Sequence, residues 1–198
     1  MKALLCSLFI ASAPVSFAQQ PAATPEQRFY ATLAAAGTGT NLGKTDTVGA
    51  PTGTDYADTQ PEGAVLVGLD LWKGNFENNL VIRGVCPIFQ TAMGRVRGPK
   101  RGNCDGSPTT TEAKPGFAVA GIEAKGGLRV DGLEIVFMRI HVSGIALDSS
   151  GSYKSEWVGG KGGGKPRRLV PNQKPIIGIF GGAGSELDRI GLLYYDRK

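Results

Sequence analysis

Residues 178–192 (GIFGGAGSELDRIGL) decide the fold, because they align without a gap with residues 68–82 (GLDLWKGNFENNLVI) and 121–135 (GIEAKGGLRVDGLEI). Each copy opens with a glycine, has a second glycine six residues later, and has an Asp or Asn four residues beyond that. The second glycines are Gly74, Gly127 and Gly184, and the Asx residues are Asn78, Asp131 and Asp188. The copies start 53 and 57 residues apart, a spacing that suits one multi-stranded sheet or blade per unit. We therefore interpret the chain as a threefold internal repeat.

Residues 63–198 have the pattern of an all-β domain, with short segments rich in Val, Ile and aromatics that are bounded by glycine. The predicted strands are 64–71, 79–85, 117–122, 133–142, 153–158, 176–180 and 190–195. Each unit consists of a strand, a glycine-containing turn and a strand, and about 40 residues between the hairpins allow a second hairpin. We expect three four-stranded antiparallel sheets packed as a triangular prism. A trefoil-like barrel and a β-sandwich are the alternatives.

The first 62 residues resemble a leader followed by an arm. Residues 1–18 have Lys2 as their only charge, an apolar run and Ala18 at their end, which predicts a cleaved signal peptide and a secreted or periplasmic protein. The capping-box order Thr24-Pro25-Glu26-Gln27 predicts a short helix over residues 25–36. Residues 37–62 are rich in Gly, Thr and Asp and are interpreted as a linker. The predicted divisions are thus a signal peptide (1–18), a helix and linker arm (19–62) and a prism domain (63–198).

The mature chain keeps two cysteines, Cys86 and Cys104. In an oxidising compartment such a pair is expected to form a disulfide, which here would clip a long loop. Redox chemistry is disfavoured because the chain has no CxxC pair. No segment after residue 18 approaches the roughly 20 apolar residues that a membrane-spanning helix needs.

The formal net charge is +5, and eight cations form two clusters without an acidic neighbour in the sequence. The first basic cluster is Arg95, Arg97, Lys100 and Arg101, and the second is Lys161, Lys165, Arg167 and Arg168. Such clusters attract polyanions such as sulfated glycans, lipid headgroups or nucleic acid. The alternative is solvated loops that keep the protein soluble, and we expect no nucleic-acid partner.

The last 25 residues carry a family resemblance. The segment PIIGIFGGAGSELDRIGLLYY (residues 175–195) resembles the closing motif of jacalin-related lectins, and the glycine-rich stretch 159–164 resembles that family's glycine-rich loop. The resemblance covers residues 63–198 and implies a β-prism. Residues 76–86 (FENNLVIRGVC) are also similar to the repeat of vitelline membrane outer layer proteins, which share the prism but are not typical sugar lectins.

The resemblance also implies a carbohydrate site in the GxxxD loop. A carboxylate can accept two sugar hydroxyls while backbone amides donate to ring oxygens, which gives the loop a chemical rationale. Carried over by motif, the first site comprises Gly184, Ser185, Glu186, Leu187 and Asp188, and the second comprises Gly127, Leu128, Arg129, Val130 and Asp131. Gly160, Gly162 and Gly163 would form the glycine-rich loop. The alternative is that each Asp only caps its own turn.

Other chemistry has little support in the sequence. Residues 159–165 fit the GxxxxGK part of a phosphate-binding loop, but Pro166 stands where Ser or Thr should bind magnesium. His141 is the only histidine and has no metal-ligand spacing around it. We therefore predict a non-enzymatic lectin-like protein without cofactor or metal, whose partners are neutral or acidic glycans. A structural prism protein and a polyanion binder are the alternatives, and a homo-oligomer remains open.

Overall fold

The structure, a computed structural model, describes residues 22–35, 42–60, 63–141 and 146–196. The predicted signal peptide therefore lies outside the described residues. The described part contains one helix, α1 (Pro25–Ala35), followed by strands. The strands are β1 (Leu42–Gly49), β2 (Thr54–Thr59), β3 (Val65–Phe76), β4 (Asn79–Thr91), β5 (Gly94–Arg97), β6 (Arg101–Gly102), β7 (Thr109–Glu112), β8 (Phe117–Gly126), β9 (Val130–Ile140), β10 (Leu147–Lys154), β11 (Val158–Gly159), β12 (Arg167–Leu169), β13 (Ile176–Ala183) and β14 (Leu187–Tyr195).

The strands form three antiparallel sheets, which confirms the β-prism prediction. The first unit has the order β5-β4-β3-β7 with β6 also on β4, and the second has β10-β9-β8-β12 with β11 also on β9. The third unit has the order β1-β14-β13-β2. Each aligned sequence copy lies in the central hairpin of one sheet. The sheets have five, five and four strands rather than four each, because the outer strands of the first two units are interrupted.

The third sheet is completed by the N-terminal part of the chain, so the linker prediction for residues 37–62 is wrong over two segments. β1 pairs with β14, with Val48 opposite Ile190, and β2 pairs with β13, with Ala57 opposite Phe180. The central strands β13 and β14 need partners on both sides, and the polar strands β1 and β2 satisfy their backbone groups. Residues 42–49 and 54–59 thereby complete the sheet that contains the last two strands of the chain.

The apolar faces of the sheets share one core. Among its largest fully buried side chains are Phe89, Phe137, Leu71, Ile135 and Ile176. Burying each side chain of this size contributes about 1.5–3 kcal/mol relative to leaving it in water. These residues come from the central strands of all three units, which explains why the units do not fold as separate domains.

Helix α1 begins where the capping box predicts. The Thr24 N–H donates to Gln27 Oε1 at 2.8 Å, and the Gln27 N–H donates to Thr24 Oγ1 at 3.1 Å. Phe29 and Leu33 lie four residues apart on the helix and both are buried in the hydrophobic core. No described helix is long and apolar enough to cross a membrane.

The predicted disulfide is wrong, because both thiols are free. Pairing of β6 with β4 sets Gly102 opposite Gly84, and a Cβ on Gly84 would lie 2.6 Å from Cys104 Sγ. The Cys86 thiol instead donates to the Gly98 carbonyl oxygen at 3.2 Å. Burial, with the nearby Asp70 carboxylate, raises the pKa of the Cys86 thiol to about 11, and burial also raises the pKa of Cys104.

Candidate functional site: the loop end of the prism

Three glycines mark equivalent positions at one end of the prism. Gly49, Gly102 and Gly159 end β1, β6 and β11, and all have positive φ (107°, 76° and 98°). Each glycine contacts a backbone carbonyl oxygen in the central hairpin of its own unit, and a side chain at the glycine would overlap that oxygen. The oxygens are those of Asp188 for Gly49, Arg83 for Gly102 and Asp131 for Gly159. The residues after these glycines donate N–H groups to the same oxygens, at 3.1, 2.9 and 2.7 Å. The three loops therefore repeat one backbone geometry.

The equivalence corrects the ungapped alignment of the first unit. In the second and third units the hairpins turn through three residues, and Lys125 opposite Gly132 corresponds to Gly182 opposite Arg189. In the first unit the strands run further, and the turn consists of Glu77 and Asn78, both with positive φ. Asn78 is therefore not equivalent to Asp131 and Asp188. The equivalent residue is Arg83, so the first unit has a cation in that position.

The loops of neighbouring units interlock. Gly160, after β11, packs on the backbone of Leu80 in the first hairpin. Gly126 in the second hairpin packs against Gly49 of the third unit, and Gly102 of the first unit packs against the backbone of Leu187 in the third. The three central hairpin tips thus converge, and each is covered by a loop of a neighbouring unit.

The predicted site residues of the second unit lie together. The Gly127 N–H donates to the Arg129 carbonyl oxygen and to Asp131 Oδ2, both at 3.0 Å. Asp131 thus closes its turn, as the capping interpretation requires, but its carboxylate is only half-buried. Val130 is fully buried and anchors the loop, whereas Leu128 is 64% exposed.

The glycine-rich loop lies on the same carboxylate. A Cβ on Gly162 would lie 2.7 Å from Asp131 Oδ1, and a Cβ on Gly163 would lie 2.5 Å from Oδ2. These approaches require glycine, because a side chain would displace the loop from Asp131. Trp157 holds the loop by donating its Nε1–H to the Gly160 carbonyl oxygen at 2.8 Å.

These two loops and the first hairpin enclose a shallow pocket of about 220 Å³. Its lining is Phe76, Glu77, Asn79, Val81, Gly127, Leu128, Arg129, Asp131, Gly162 and Gly163. The Arg129 guanidinium lies 4.3 Å from the centre of the Phe76 ring. The pocket combines apolar side chains with a carboxylate. It is smaller than the roughly 300–1,000 Å³ of drug-sized sites, which suits one sugar ring.

The predicted site residues of the third unit have a different environment. Asp188 is buried and forms an ion pair with Arg129 from the second unit, at 2.9 Å between Oδ1 and Nη1. Glu186 is also buried and accepts from Arg83 Nε of the first unit at 2.7 Å. Leu187 is fully buried, whereas Gly184 and Ser185 are exposed. Cations of the neighbouring units therefore neutralise both carboxylates of this loop.

Sequence reasoning missed Glu77, Asn79, Val81 and Arg83 as part of this end of the prism. The first three come from the extended tip of the first hairpin, which the ungapped alignment hid. Arg83 gave one signal, a lone cation between apolar residues of a strand (LVIRGV). Its partner lies 103 residues away in the chain, so no local pattern identifies the pair.

The two basic clusters differ once the chain is folded. In the first cluster Arg95 pairs with Glu112, Arg97 with Asp70 and Arg101 with Asp58, so its acid-free appearance in the sequence disappears. In the second cluster Arg167 pairs with the exposed Asp46. None of the described carboxylates forms an ion pair with Lys161, Lys165 or Arg168.

The described residues contain no group of three His, Cys, Asp or Glu side chains that could hold a metal ion. The stretch 159–165, which partly fits a phosphate-binding loop, is followed by strand β12 rather than by a helix. Trp72 is buried in its sheet, where its Nε1–H donates to the Gly106 carbonyl oxygen at 2.9 Å.

No protein-family model matches the sequence, and no curated protein matches it. Solved structures of similar fold do exist. Artocarpin complexed with methyl-α-mannose is 17% identical with a TM-score of 0.59, and the match covers 79% of this chain and 99% of that one. A mannose-binding jacalin-related lectin from Ananas comosus is 19% identical with a TM-score of 0.57 and the same coverage. A mannose-specific jacalin-related lectin from Morus nigra, in complex with mannose, is 18% identical with a TM-score of 0.56, covering 80% of this chain and 97% of that one.

Identities this low establish the fold alone, and several structures that share it bind sugars. The resemblance that the C-terminal residues suggested is thereby confirmed at the level of architecture. This chain has the β-prism fold of the jacalin-related lectins.

Proposed function

We propose that the protein is a non-enzymatic carbohydrate-binding protein whose site is the pocket between the second-unit loop 127–131, the glycine-rich loop and the first hairpin. The observation that carries the proposal is the half-buried carboxylate of Asp131, which lies between these loops in a pocket sized for one ring. Solved lectins of the same fold, described with mannose or its methyl glycoside, support it.

The chemistry of the pocket matches that of a sugar. Asp131 Oδ2 accepts the Gly127 N–H, and a carboxylate has about four lone-pair sites, so acceptor capacity remains for hydroxyl groups. Hydrogen bonds to a charged acceptor stabilise by roughly 1.5–3 kcal/mol, more than neutral ones. Phe76 and Val81 supply the apolar wall that the C–H face of a sugar requires.

The proposal favours the second unit over the third. Ligand hydroxyls at Asp188 would have to compete with Arg129, whose ion pair with that carboxylate is mostly buried. We expect a single shallow site with a dissociation constant of about 0.1–1 mM, which several copies on a surface would strengthen by multivalency.

The test is binding of the full chain to an array of immobilised glycans, followed by titration of the best ligand, with methyl α-mannoside as the first soluble probe. Asp131→Asn keeps an oxygen that can accept the Gly127 N–H but loses the charge. We expect at least a ten-fold loss of affinity with unchanged thermal stability, because each hydroxyl loses a charge-assisted bond.

Asp148→Asn is the matched control. Asp148 also caps a turn, accepting the Ser150 N–H at 2.9 Å, but it does not line the pocket. This variant should bind like the unmodified protein. Equal binding by Asp131→Asn, or array silence from a folded protein, would contradict the proposal and favour a structural prism protein like the vitelline membrane outer layer group.

We also propose that the protein acts outside the cytoplasm, as a secreted or periplasmic protein. The support is the charge-poor apolar leader of residues 1–18. Mass spectrometry of the protein from its native host should give a mature chain that begins at Gln19. A chain that retains Met1 or Lys2 would contradict the proposal.

A further inference from the structure

The second basic cluster connects two cavities. Gly162 and Gly163, near one end of segment 161–168, line the pocket of about 220 Å³ at Asp131, which we call the second-unit pocket. Arg168, at the other end, lines a lateral cavity of about 470 Å³ on the second sheet. Gly162 and Arg168 are six positions apart, so the extended chain places the two residues within about 22 Å of each other.

The lateral cavity has the chemistry of a polar ligand site. Its lining is Met138, Ser149, Arg168, Val170, Asn172 and Gln173. The Gln173 side-chain amide donates to Ser149 Oγ at 3.1 Å, and Asn172 and Gln173 both have positive φ (31° and 61°). They are the central residues of a turn closed by the Lys174 N–H, which donates to the Pro171 carbonyl oxygen at 2.8 Å, and this turn holds both side chains at the cavity.

The second-unit pocket and segment 161–168 have opposite charge and therefore favour different parts of a ligand. Asp131, Glu77 and Arg129 line the second-unit pocket, and Arg129 is already paired with Asp188. The two carboxylates therefore repel an anionic group there, so the ring that occupies the pocket is neutral. Lys161, Lys165 and Arg168 are exposed without a described carboxylate partner. Glu123, which lies opposite Arg168 across the strands, already pairs with Lys154 at 2.8 Å. The cationic segment is therefore available to a ligand.

We propose that the ligand is an extended anionic oligosaccharide that carries sulfate or uronate groups. One neutral ring occupies the second-unit pocket, and the anionic groups lie on Lys161 and Lys165 and reach Arg168 at the lateral cavity. The inference rests on the proposed function, because it takes Asp131 as the anchor of the neutral ring.

The segment also differs from its equivalents in the other units. The corresponding loops, residues 50–53 in the third unit and 103–108 in the first, contain no lysine or arginine. The loop of the second unit contains Lys161 and Lys165 and is followed by Arg167 and Arg168. Of the three equivalent loops, only the one beside the second-unit pocket therefore carries a cluster of cations.

The test compares three hexasaccharides by titration with the full chain: a heparin-derived one, its desulfated form, which keeps the carboxylates, and neutral mannohexaose. At 50 mM salt we expect at least ten-fold tighter binding of the heparin hexasaccharide than of mannohexaose, and a smaller ratio at 500 mM because salt screens exposed charges. Retention of tight binding by the desulfated form would identify uronate as the recognised group, and its loss would identify sulfate.

Variants locate the contacts. Lys161→Ala/Lys165→Ala and Arg168→Ala should each weaken binding of the heparin hexasaccharide about five- to ten-fold and change binding of mannohexaose less than two-fold. Lys44→Ala/Lys114→Ala is the matched control, because both lysines are exposed and lie outside the segment. This control should change neither affinity by more than two-fold.

Equal affinity for the heparin hexasaccharide and mannohexaose, with both lost in Asp131→Asn, would overturn this inference and leave the proposed function standing. Heparin binding that survives Asp131→Asn would overturn this inference, because the ring would not be anchored in the pocket, and mannohexaose binding that also survives would overturn the proposed function as well. Equal competition by a single-stranded oligonucleotide of matched charge would overturn the inference in favour of general polyanion binding.

Discussion

Loops 127–131 and 184–188 have the same spacing and the same hairpin register, yet one borders an open pocket and the other is closed. Among the described residues, Asp131 lies against Gly162 and Gly163 and accepts the Gly127 N–H of its own turn, whereas Asp188 forms an ion pair with the guanidinium of Arg129. The difference lies outside the motif, in which residues the neighbouring unit places against it. A GxxxD motif therefore supplies a carboxylate, and its surroundings decide whether that carboxylate remains available to a ligand.

Arg129 connects the two loops. It belongs to the second-unit loop, neutralises Asp188 in the third unit and packs over Phe76 from the first. The residue that closes one loop is thus also a wall of the other. Its Nε is the one buried side-chain nitrogen or oxygen that has no hydrogen-bond partner among the described residues, a cost that the Asp188 ion pair offsets.

The largest effect on stability is expected for Arg129→Ala. The substitution leaves Asp188, whose side chain is 6% exposed, buried without its cation. We expect a loss of roughly 3 kcal/mol in the free energy of unfolding, near the lower end of the range for broken buried pairs. Urea denaturation measures it.

Arg167→Ala is the matched control for this prediction. Its ion pair with Asp46 is exposed, with side-chain exposures of 53% and 81%. Such pairs contribute less than about 1 kcal/mol. Equal losses in the two variants would mean that the Asp188 pair does not hold the third loop closed.

A second, smaller effect is expected at Arg83, which stands where the other units have Asp131 and Asp188. Its partner Glu186 has a side-chain exposure of 8%, and the contact is bidentate. A double-mutant cycle with Arg83→Ala and Glu186→Gln should give a coupling energy of about 1–2 kcal/mol. Additive effects of the two substitutions would show that the pair contributes no net stability.

Gly163→Ala and Gly164→Ala separate backbone strain from steric contact in the glycine-rich loop, and Gly164→Ala has the smallest expected effect on stability. Both glycines have φ near +75°, so alanine at Gly164 should cost about 1 kcal/mol, and alanine at Gly163 should cost more because its Cβ would also lie 2.5 Å from the Gly126 backbone nitrogen. A Cβ at Gly163 would lie 2.5 Å from Asp131 Oδ2, whereas nothing lies within 4 Å of a Cβ at Gly164. Glycan titration should therefore show weaker binding only for Gly163→Ala.

Equal binding by the two glycine variants would contradict a direct role of the loop position at Asp131. Thermal unfolding of both variants is the control, because each must remain folded at the titration temperature for its affinity to be compared. We expect Gly163→Ala to lower the melting temperature more than Gly164→Ala, since only its Cβ meets the Gly126 backbone and the Asp131 carboxylate.

Sequence patterns predicted the central hairpins better than the outer strands. The hairpin strands are rich in Val, Ile and Leu because they cover the core, so hydrophobicity and glycine punctuation reveal them. β1, β2 and β7 (LGKTDTVG, TDYADT and TTTE) are polar, half-exposed strands that need only backbone pairing. Nothing in their composition distinguishes them from a linker.

The lining of the candidate pocket could be predicted in part for a similar reason. Gly127, Asp131, Gly162 and Gly163 all lie in one pocket, because loop glycines and a turn carboxylate are visible in one sequence. Phe76 and Val81 join them from another unit. Similarly, the number of cysteines after residue 18 suggested a disulfide between Cys86 and Cys104, whereas both thiols are free in the structure.

The sequence by itself determined the β-class of the protein, its three central hairpins, the capped helix and the loops that carry glycine and aspartate, since each is a local consequence of residue type and spacing. Only the tertiary structure decided that residues 42–60 complete the third sheet, that Arg83 replaces the carboxylate in the first unit, and that Arg129 closes one loop while bordering another. Strand pairing joins residues as distant in the chain as Leu42 and Tyr195, and no local pattern encodes such a partner.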